Sequence, residues 1–509
     1  MSRLRAATGS VPPVLALVAV LGALLSIVPL LYLVIQATSD GLSNVATEIF
    51  DDATLALVGR SLLLCVVVTS LCAVIGTTAA FLCVRTNLPF RRILFVALAL
   101  PLTMPSYVAA YAWVAERPNL AGFWGATLVL TSISFPFVML PVAAAMRRLD
   151  SRHEEVGRSL GRTPVNLAFT LTLRQIRPSL TAGSLLVALY VLSDFGAVAT
   201  MRYESFTWSI YGAYRAGFNP TRAATLSLLL VLIALAIVVG EEFARGRANL
   251  ASVGSTTDRP PSTLDLHTWR WPTFAALLLV PIVALLLPIL FIWQWFSEGA
   301  SRNNNWSELF NAFGSTLWVA FLATAVTMLF AIPIALVAAR IAKKWALATD
   351  RAVFVLHALP GLVVGLGVVA VGIRALPGLY QKIPMLIAAY VILYLSLAVG
   401  SIRASIERTP SSIDDAALSL GSSRLEVFRR ITLPVAAPGI LSGAALVFLT
   451  VAKELPATIL LKPTGFETLA TELWTRTTVF EFGAAAPYAI ALILVAMIPT
   501  AFLSVRGWQ

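Results

Sequence analysis

The chain has 509 residues, of which 58% are hydrophobic and 12% charged, and its mean hydropathy is +0.85. Soluble globular domains carry about 25% charged residues. A soluble enzyme, a disulfide-rich secreted domain and a disordered chain are therefore excluded, because the excess apolar surface has to face lipid. The net charge of +12 indicates nucleic acid or a membrane surface as partner, and the positions of the charges decide between them.

Twelve apolar segments are long enough to cross the hydrocarbon core of a bilayer, which needs about 20 residues. We predict spans at residues 13–36, 57–84, 93–115, 122–146, 180–201, 223–240, 272–296, 312–339, 352–373, 384–402, 437–461 and 484–505. The first predicted span follows Arg3 and Arg5, as the apolar core of a signal peptide would. However, it is about twice as long as such a core, and no clear cleavage site follows it. We expect it to remain in the protein as a span.

The basic residues lie mostly in every second loop. With the N-terminus in the cytoplasm, 26 of the 37 Lys and Arg residues fall on cytoplasmic segments. This distribution predicts a multi-pass protein of the plasma (inner) membrane with both termini in the cytoplasm. The positive charge is thus a topology signal, and nucleic acid is excluded as a partner.

Two predicted cytoplasmic loops, 154–180 and 414–440, are similar to each other at a shift of 260 residues. The shared residues are Ser159, Leu160, Gly161, Thr172, Leu173 and Pro178 with Ser419, Leu420, Gly421, Thr432, Leu433 and Pro438. Acidic residues coincide as well, Glu154 and Glu155 with Asp414 and Asp415, and Asp194 with Glu454. A shift of 255 aligns Arg85 with Arg340, and a shift of 259 aligns residues 99–101 with 358–360.

The repeat divides the chain into two halves with six spans each. An even number of spans makes both halves cross the membrane in the same sense, which defines parallel repeats. We therefore predict an all-α polytopic membrane protein of about 12 transmembrane helices, with a first half at 1–240, a cytoplasmic linker at 241–271 and a second half at 272–509. The linker prediction rests on the Ser-, Thr- and Pro-rich stretch 251–263.

Each repeated loop begins with an acidic pair, continues through a short apolar stretch to a glycine, and ends in a basic amphipathic segment. This order predicts a helix, a glycine turn and a second helix at the cytoplasmic face. A basic loop lying on anionic lipid is the alternative, but it gives no reason for glycine and acidic positions to stay in register over 260 residues.

The repeated loop resembles the EAA loop of permease subunits in binding-protein-dependent ABC importers, in which it forms the coupling helix that docks into the ATPase subunit. The resemblance implies docking residues Glu154, Glu155 and Gly161 in the first copy and Asp414, Asp415, Ala416 and Gly421 in the second. The first copy departs from the family pattern, because Val156 and Gly157 stand where alanine is usual.

The chain has no ATP-binding loop of its own. Such a loop needs Lys directly after Gly, and none of the five lysines follows a glycine. We therefore expect a transport subunit that is not an enzyme and binds no cofactor, with ATP and Mg bound by a separate ATPase dimer.

Three segments, 193–214, 359–367 and 453–474, resemble fused permeases of ferric-iron ABC importers. This resemblance implies ferric iron as the cargo, delivered by an extracytoplasmic binding protein. Thiamine, polyamine, phosphonate and sulfate permeases share much of the same framework, so these cargoes stay open as alternatives. An ion-coupled secondary transporter also stays open, because such proteins show repeats and charges within the membrane.

Ionisable residues inside spans are costly, which makes Asp194, Lys453 and Glu454 candidates for the translocation pathway. Two carboxylates at symmetry-related positions suit a hard cation that prefers oxygen ligands. The alternative is structural: Lys453 pairs with a carboxylate, or each carboxylate caps a broken helix near Gly196 or Pro456. No resident metal site is predicted, because the three histidines are far apart in the sequence.

Overall fold

A computed structural model of the chain describes residues 27–149, 159–245, 263–299, 305–340, 359–407 and 412–506. Within these ranges the chain is helical apart from turns, short connections and one isolated bridge between Thr86 and Leu264. The described helices, in chain order, are α1 Ile27–Ala37, α2 Leu42–Ile49, α3 Asp52–Arg85, α4 Arg91–Ala99, α5 Ser106–Glu116, α6 Phe123–Ser134, α7 Pro136–Arg147, α8 Pro164–Leu167, α9 Leu173–Ser193, α10 Gly196–Thr200, α11 Phe206–Arg215, α12 Pro220–Arg245, α13 Arg270–Pro281, α14 Leu287–Glu298, α15 Trp306–Arg340, α16 Gly361–Arg374, α17 Ile383–Ile406, α18 Ser412–Ser419, α19 Arg424–Val427, α20 Leu433–Ala452, α21 Pro456–Leu461, α22 Leu469–Thr478 and α23 Phe482–Arg506.

The described part of the chain contains eight helices long and apolar enough to cross a membrane. They are Asp52–Arg85, Phe123–Arg147, Thr170–Ser193, Pro220–Gly240, His267–Glu298, Trp306–Ala339, Ile383–Ile406 and Leu425–Ala452. A ninth span results if Arg91–Thr103 and Ser106–Glu116, which meet at 91°, count as one. Three shorter apolar helices, Ile27–Ala37, Gly361–Arg374 and Phe482–Met497, lie on the three remaining predicted segments. The chain is a multi-pass, all-α membrane protein, and each predicted span coincides at least partly with a described apolar helix.

The chain forms two compact units, and neither is simply one half of the sequence. One unit draws on Met1–Asp51, Ile210–Val231 and Asn303–Gln509. The other draws on Asp52–Ser209 and Leu232–Arg302. Each unit therefore holds most of one sequence half together with the first predicted span of the other half.

In the unit around α3, the helices α3, α7 and α9 pack on one another. Glycines make their close approach possible: a Cβ on Gly76 of α3 would lie 2.8 Å from the carbonyl oxygen of Phe135, and one on Gly183 of α9 would lie 2.8 Å from that of Phe137. Small residues at such crossings let helix backbones pack tightly in a membrane, where burial of apolar surface supplies little drive for association.

The other unit repeats this arrangement with α15, α17 and α20. A Cβ on Gly439 of α20 would lie 2.6 Å from the carbonyl oxygen of Ser401 on α17. Gly443, the counterpart of Gly183 in the sequence repeat, also faces α17, because a Cβ on it would lie 3.4 Å from the carbonyl oxygen of Ala398. The repeat seen in the loops therefore extends to the packing of the helices.

The first predicted span of each half packs against a helix of the opposite half. In α1, the carbonyl oxygen of Pro29 would lie 2.7 Å from a Cβ on Gly367 of α16. In α14, the ring of Phe291 meets the ring of Trp113 on α5 edge to face, with centroids 5.4 Å apart. This exchange explains why the compact units differ from the sequence halves.

The C-terminal end of the predicted linker is attached to the end of α3. The backbone N–H of Leu264 donates to the carbonyl oxygen of Arg85 at 2.7 Å, and the N–H of Asn87 donates to that of Leu264 at 3.1 Å. The Asn87 side chain donates to Asp265 Oδ1 at 2.5 Å and accepts from the N–H of Leu266 at 3.0 Å. The hydrogen bond from the N–H of His267, followed by that from Asn87, holds the pKa of the Asp265 carboxyl below its usual value.

Candidate functional site: two loops and two helix breaks

The second repeated loop forms a helix, a glycine turn and a second helix, as predicted. Helix α18 ends in a turn in which Gly421 has a φ of +91°. The N–H of Gly421 donates to the carbonyl oxygen of Leu418, and that of Ser422 donates to that of Ala417, both at 3.1 Å. This hydrogen-bond pair defines a Schellman motif, in which the left-handed position favours glycine.

A hydroxyl side chain begins the next helix in both copies of the loop. Ser423 Oγ accepts from the N–H of Glu426 at 3.3 Å, and Thr163 Oγ1 accepts from the N–H of Asn166 at the same distance. These N-caps satisfy backbone donors that the helix itself leaves unpaired. Thr163 and Ser423 are 260 residues apart, so they coincide when the two loops are aligned. The sequence alone does not single them out as functional residues, because the loop pattern is defined by its acidic and glycine positions.

The predicted docking residues of the second loop differ in exposure. Asp414 is buried, with 2% of its surface exposed, whereas Asp415 and Ala416 are exposed. Beside them Leu420 is 88% exposed and Leu425 58% exposed. Large apolar side chains next to a charged turn indicate a surface that contacts another protein or the lipid headgroups.

The first loop is described from Ser159 onward, and Glu154 and Glu155 lie outside the described residues. Gly161 has a φ of +80°, and Leu160 is 74% exposed. The elements that follow match the second loop residue for residue at a shift of 260: a short helix begins at 164 and 424, a π-helical turn at 168 and 428, and the long helix at 173 and 433.

In each half, the span that continues from the loop ends at a break next to an acidic residue. Helix α9 ends at Ser193, and Asp194 then adopts an extended backbone with φ −68° and ψ 128°. Its Oδ1 accepts from the N–H of Ala197 at 2.8 Å, which caps the short helix α10. Its carbonyl oxygen accepts from Thr207 Oγ1 at 2.6 Å.

The second break has the same chemistry. Helix α20 ends at Ala452, and Glu454 Oε1 accepts from the N–H of Ala457 at 2.9 Å, capping α21. Glu454 Oε2 accepts from the hydroxyl of Tyr394 at 2.9 Å, and Lys453 is half-buried at the break. Asp194 and Glu454 therefore both form the helix-capping hydrogen bonds that the structural alternative predicts. The role of Asp194, Lys453 and Glu454 in a pathway stays a prediction.

The helices α5 and α16 pack against the short helices at these breaks. The residues at which α5 and α16 begin show that Pro360 is equivalent to Pro105 and not, as the shift of 259 predicts, to Pro101. Pro105 and Pro360 both occupy the N-cap position, with φ and ψ of −62° and 145° and of −63° and 142°. Pro101, which aligns with Pro360 at a shift of 259, lies instead in a 3₁₀ turn at Leu100–Thr103. The structurally equivalent helices therefore follow the shift of 255, the same shift that aligns Arg85 with Arg340.

The comparisons with known proteins agree with the repeat. A family described as binding-protein-dependent transport system inner membrane component matches residues 72–240 and again residues 331–505. The chain is 35% identical over 478 residues to a Fe(3+)-transport system permease protein of Haemophilus influenzae, covering 93% of this chain and 94% of that protein.

The chain belongs to the family of binding-protein-dependent transport system inner membrane components. Other members match shorter parts of it. A putrescine transport system permease protein of Escherichia coli is 29% identical over 201 residues, or 35% of this chain and 69% of that protein. A sulfate transport system permease protein of Escherichia coli is 25% identical over 233 residues, or 42% of this chain and 80% of that protein.

As a member of this family, the chain is a transport permease and not itself an enzyme. Each family match contains one repeated loop and one helix break, and the predicted linker lies between the two matches. Among the described residues, no group of three or more His, Cys, Asp and Glu side chains is close enough to share a metal ion.

Proposed function

We propose that this chain is the permease of an ATP-driven importer that carries ferric iron across the plasma membrane after delivery by an extracytoplasmic binding protein. The observation that carries the proposal is the 35% identity to a Fe(3+)-transport permease, which extends over both halves and 93% of the chain. The putrescine and sulfate permeases, by contrast, match only 35% and 42% of it.

The two repeated loops are the proposed docking points of an ATPase dimer, one loop for each ATPase subunit. Gly161 and Gly421 hold the turns, and the exposed Leu160 and Leu420 supply apolar contact surface beside them. This assignment places the loops and both chain termini in the cytoplasm, in agreement with the distribution of Lys and Arg. ATP and Mg bind to the ATPase, and this chain binds no cofactor.

The proposed translocation pathway runs past the two helix breaks, so that Asp194, Lys453 and Glu454 lie beside it. Broken helices expose backbone polar groups that a membrane tolerates only where protein or a water-filled cavity satisfies them. Two carboxylates along such a route favour a cation over the anionic cargoes of phosphonate and sulfate permeases.

The test of the cargo is uptake in a strain that lacks this chain, complemented with the wild-type sequence. Radio-iron, putrescine, thiamine and sulfate are offered separately in the presence of the full transporter operon. Restored uptake of ferric iron alone supports the proposal. Restored uptake of one of the other compounds, with no change in iron, refutes the iron assignment and leaves the family membership intact.

A second experiment separates an ATP-driven importer from an ion-coupled transporter. Right-side-out membrane vesicles are depleted of ATP while the proton gradient is maintained by respiration. Uptake should stop when ATP is removed. Uptake that continues on the gradient alone would contradict the proposal.

A further inference from the structure

The carboxylate at each helix break contacts two helices at once. In the unit around α3, Asp194 accepts from the N–H of Ala197 in α10, and it also lies within hydrogen-bonding reach of the hydroxyl of Ser106, the first residue of α5. The negative side chain thus sits at the N-terminal ends of two helices, where the aligned peptide dipoles favour an anion.

The other unit contains the corresponding bridge. Glu454 Oε1 accepts from the N–H of Ala457 in α21 and lies against Gly361, the first residue of α16, so that a Cβ on that glycine would lie only 2.9 Å from it. The hydroxyl of Tyr394 on α17 holds the second carboxylate oxygen.

The two bridges differ in side-chain length in a compensating way. Glu454 is one methylene longer than Asp194 and stands opposite Gly361, which has no side chain. The shorter Asp194 stands opposite Ser106, whose hydroxyl extends toward it. In each bridge one residue thus supplies the additional length, through the extra methylene of Glu454 or through the hydroxyl of Ser106.

Each bridge joins elements that pack closely. A Cβ on Gly196 of α10 would lie 2.7 Å from the Cβ of Tyr107 on α5. A Cβ on Gly365 of α16 would lie 3.6 Å from the Cβ of Ala457 on α21. The short helices α10 and α21 follow directly on α9 and α20, which continue from the repeated loops. Each loop is therefore connected to α5 or α16 by a long helix and a short helix that packs on it, with one carboxylate at the junction.

We propose that Asp194 and Glu454 are positioning residues that fasten each short helix to α5 or α16, so that the loop-bearing span, the short helix and the fastened helix move as one body. The proposal rests on the proposed function as an ATP-driven importer and deepens it, because it assigns to the carboxylates beside the pathway the transmission of loop movement, a role that needs no contact with the cargo.

A disulfide tests the fastening directly. The separation of 3.6 Å between the Cβ positions of residues 365 and 457 suits a disulfide, for which 3.5–4.5 Å is usual. Gly365→Cys and Ala457→Cys are introduced together after Cys65, Cys72 and Cys83, which are buried in α3, have been replaced by alanine. The nearest atoms to the new Cβ at 365 are the flexible end of Leu460 at 3.0 Å, which can turn aside, and the Cα of Ala457 at 3.2 Å, which has to shift by a few tenths of an ångström.

The first readout is the rate of disulfide formation in the purified full chain, which requires neither cargo nor ATPase. We expect fast formation with Glu454 present. In Glu454→Ala the rate should fall about tenfold or more, because the N–H of Ala457 loses the charge-assisted hydrogen bond that holds it beside Gly361. An unchanged rate overturns the proposal.

The second readout is ATP-driven uptake in the reconstituted transporter. We expect Glu454→Ala to lower uptake about tenfold, oxidation of the cysteine pair to restore it, and reduction to lower it again. If oxidation does not restore uptake in Glu454→Ala, the carboxylate acts on the cargo itself and the proposal is wrong.

An independent test replaces the residue pair of one bridge by the pair of the other and asks whether uptake is restored. Glu454→Asp leaves a gap at Gly361, and Gly361→Ser pushes against Glu454, so each single variant should lower uptake. The double variant rebuilds the pair found at Asp194 and Ser106, and we expect it to recover uptake. A double variant as poor as Glu454→Asp alone contradicts the proposal.

Glu204→Gln is the matched control, because Glu204 is an exposed carboxylate paired with the exposed Arg60, and its loss should leave uptake unchanged. If the wild-type chain itself transports no ferric iron, the proposed cargo fails. The rate of disulfide formation then still decides whether the carboxylates fasten the helices.

Discussion

Replacement of Gly421 by alanine perturbs the second loop through its backbone alone. No heavy atom lies within 4 Å of a Cβ built on Gly421, so alanine meets no steric obstacle there. The φ of +91° lies in the left-handed region, where a residue with a Cβ costs about 1–2 kcal/mol. The Schellman hydrogen bonds from Gly421 and Ser422 depend on that conformation.

A cost of about 1–2 kcal/mol lowers the population of the native turn by a factor of about 5–30. If the turn presents Leu420 to the ATPase, the dissociation constant of the ATPase for the reconstituted permease should rise by up to that factor in Gly421→Ala. It should rise less in Gly421→Asn, because asparagine tolerates the left-handed region better than alanine. Gly161→Ala, with a φ of +80° and an equally open surrounding, should behave in the same way.

The matched control is Gly400→Ala. Gly400 lies inside the helix Ile383–Ile406, and no heavy atom lies within 4 Å of its Cβ position. Alanine is favoured over glycine in a helix, so this variant should bind the ATPase with unchanged affinity. Affinity that is equal in Gly421→Ala, Gly421→Asn and wild type, or that falls equally in Gly400→Ala, would show that the left-handed turn at Gly421 does not set ATPase binding.

Three further predictions concern packing and the linker. Gly183→Ala places a Cβ 2.8 Å from the Phe137 carbonyl oxygen, so it should destabilise the packing of α7 on α9 by about 1–3 kcal/mol when unfolding is measured in detergent. Gly240→Ala is the control and should leave stability unchanged, because no atom lies within 4 Å of its Cβ position. Phe291→Leu removes the edge-to-face contact with Trp113 and should lower the free energy of unfolding by about 1 kcal/mol in the same assay. Phe321→Leu is the control, because the Phe321 side chain is exposed. An equal loss in both variants would contradict the packing of α14 on α5. Asn87→Ala removes two hydrogen bonds to the linker, so the backbone N–H of Leu266 should exchange faster with solvent deuterium. The N–H of Leu33 in α1 is the control and should exchange at an unchanged rate. Unchanged exchange at Leu266 would show that the Asn87 side chain does not hold the linker in place.

Hydropathy was sufficient to place an apolar helix within each predicted span, and the repeat shift predicted the helix–glycine–helix form of the second loop and the equivalence of Asp194 with Glu454. These features depend on local signals: the length of an apolar run, a glycine at a turn, and an acidic residue just after a span. The structure adds that Gly161 and Gly421 have positive φ, which explains why glycine occupies the same place in both copies.

Other features leave no local signal in the sequence. The packing of α1 and α14 on helices of the opposite half depends on contacts such as Pro29 with Gly367, which are more than 300 residues apart in the chain. The bend of 91° between Arg91–Thr103 and Ser106–Glu116 divides a segment that hydropathy treats as one span. The bridge between Asp194 and Ser106 is not apparent from the sequence, because the alignment at a shift of 259 pairs prolines that are not structurally equivalent.

We propose that ATP hydrolysis by a subunit docked on the two loops drives import of ferric iron through this chain. Radio-iron accumulation can be measured in proteoliposomes that contain the permease and the ATPase, with the iron-loaded binding protein outside the membrane and ATP inside. We predict accumulation that requires ATP hydrolysis and falls at least tenfold when Gly161 and Gly421 are both replaced by valine. Iron accumulation without ATP, or at the wild-type rate in the double variant, would show that ATP hydrolysis at the two loops does not drive import.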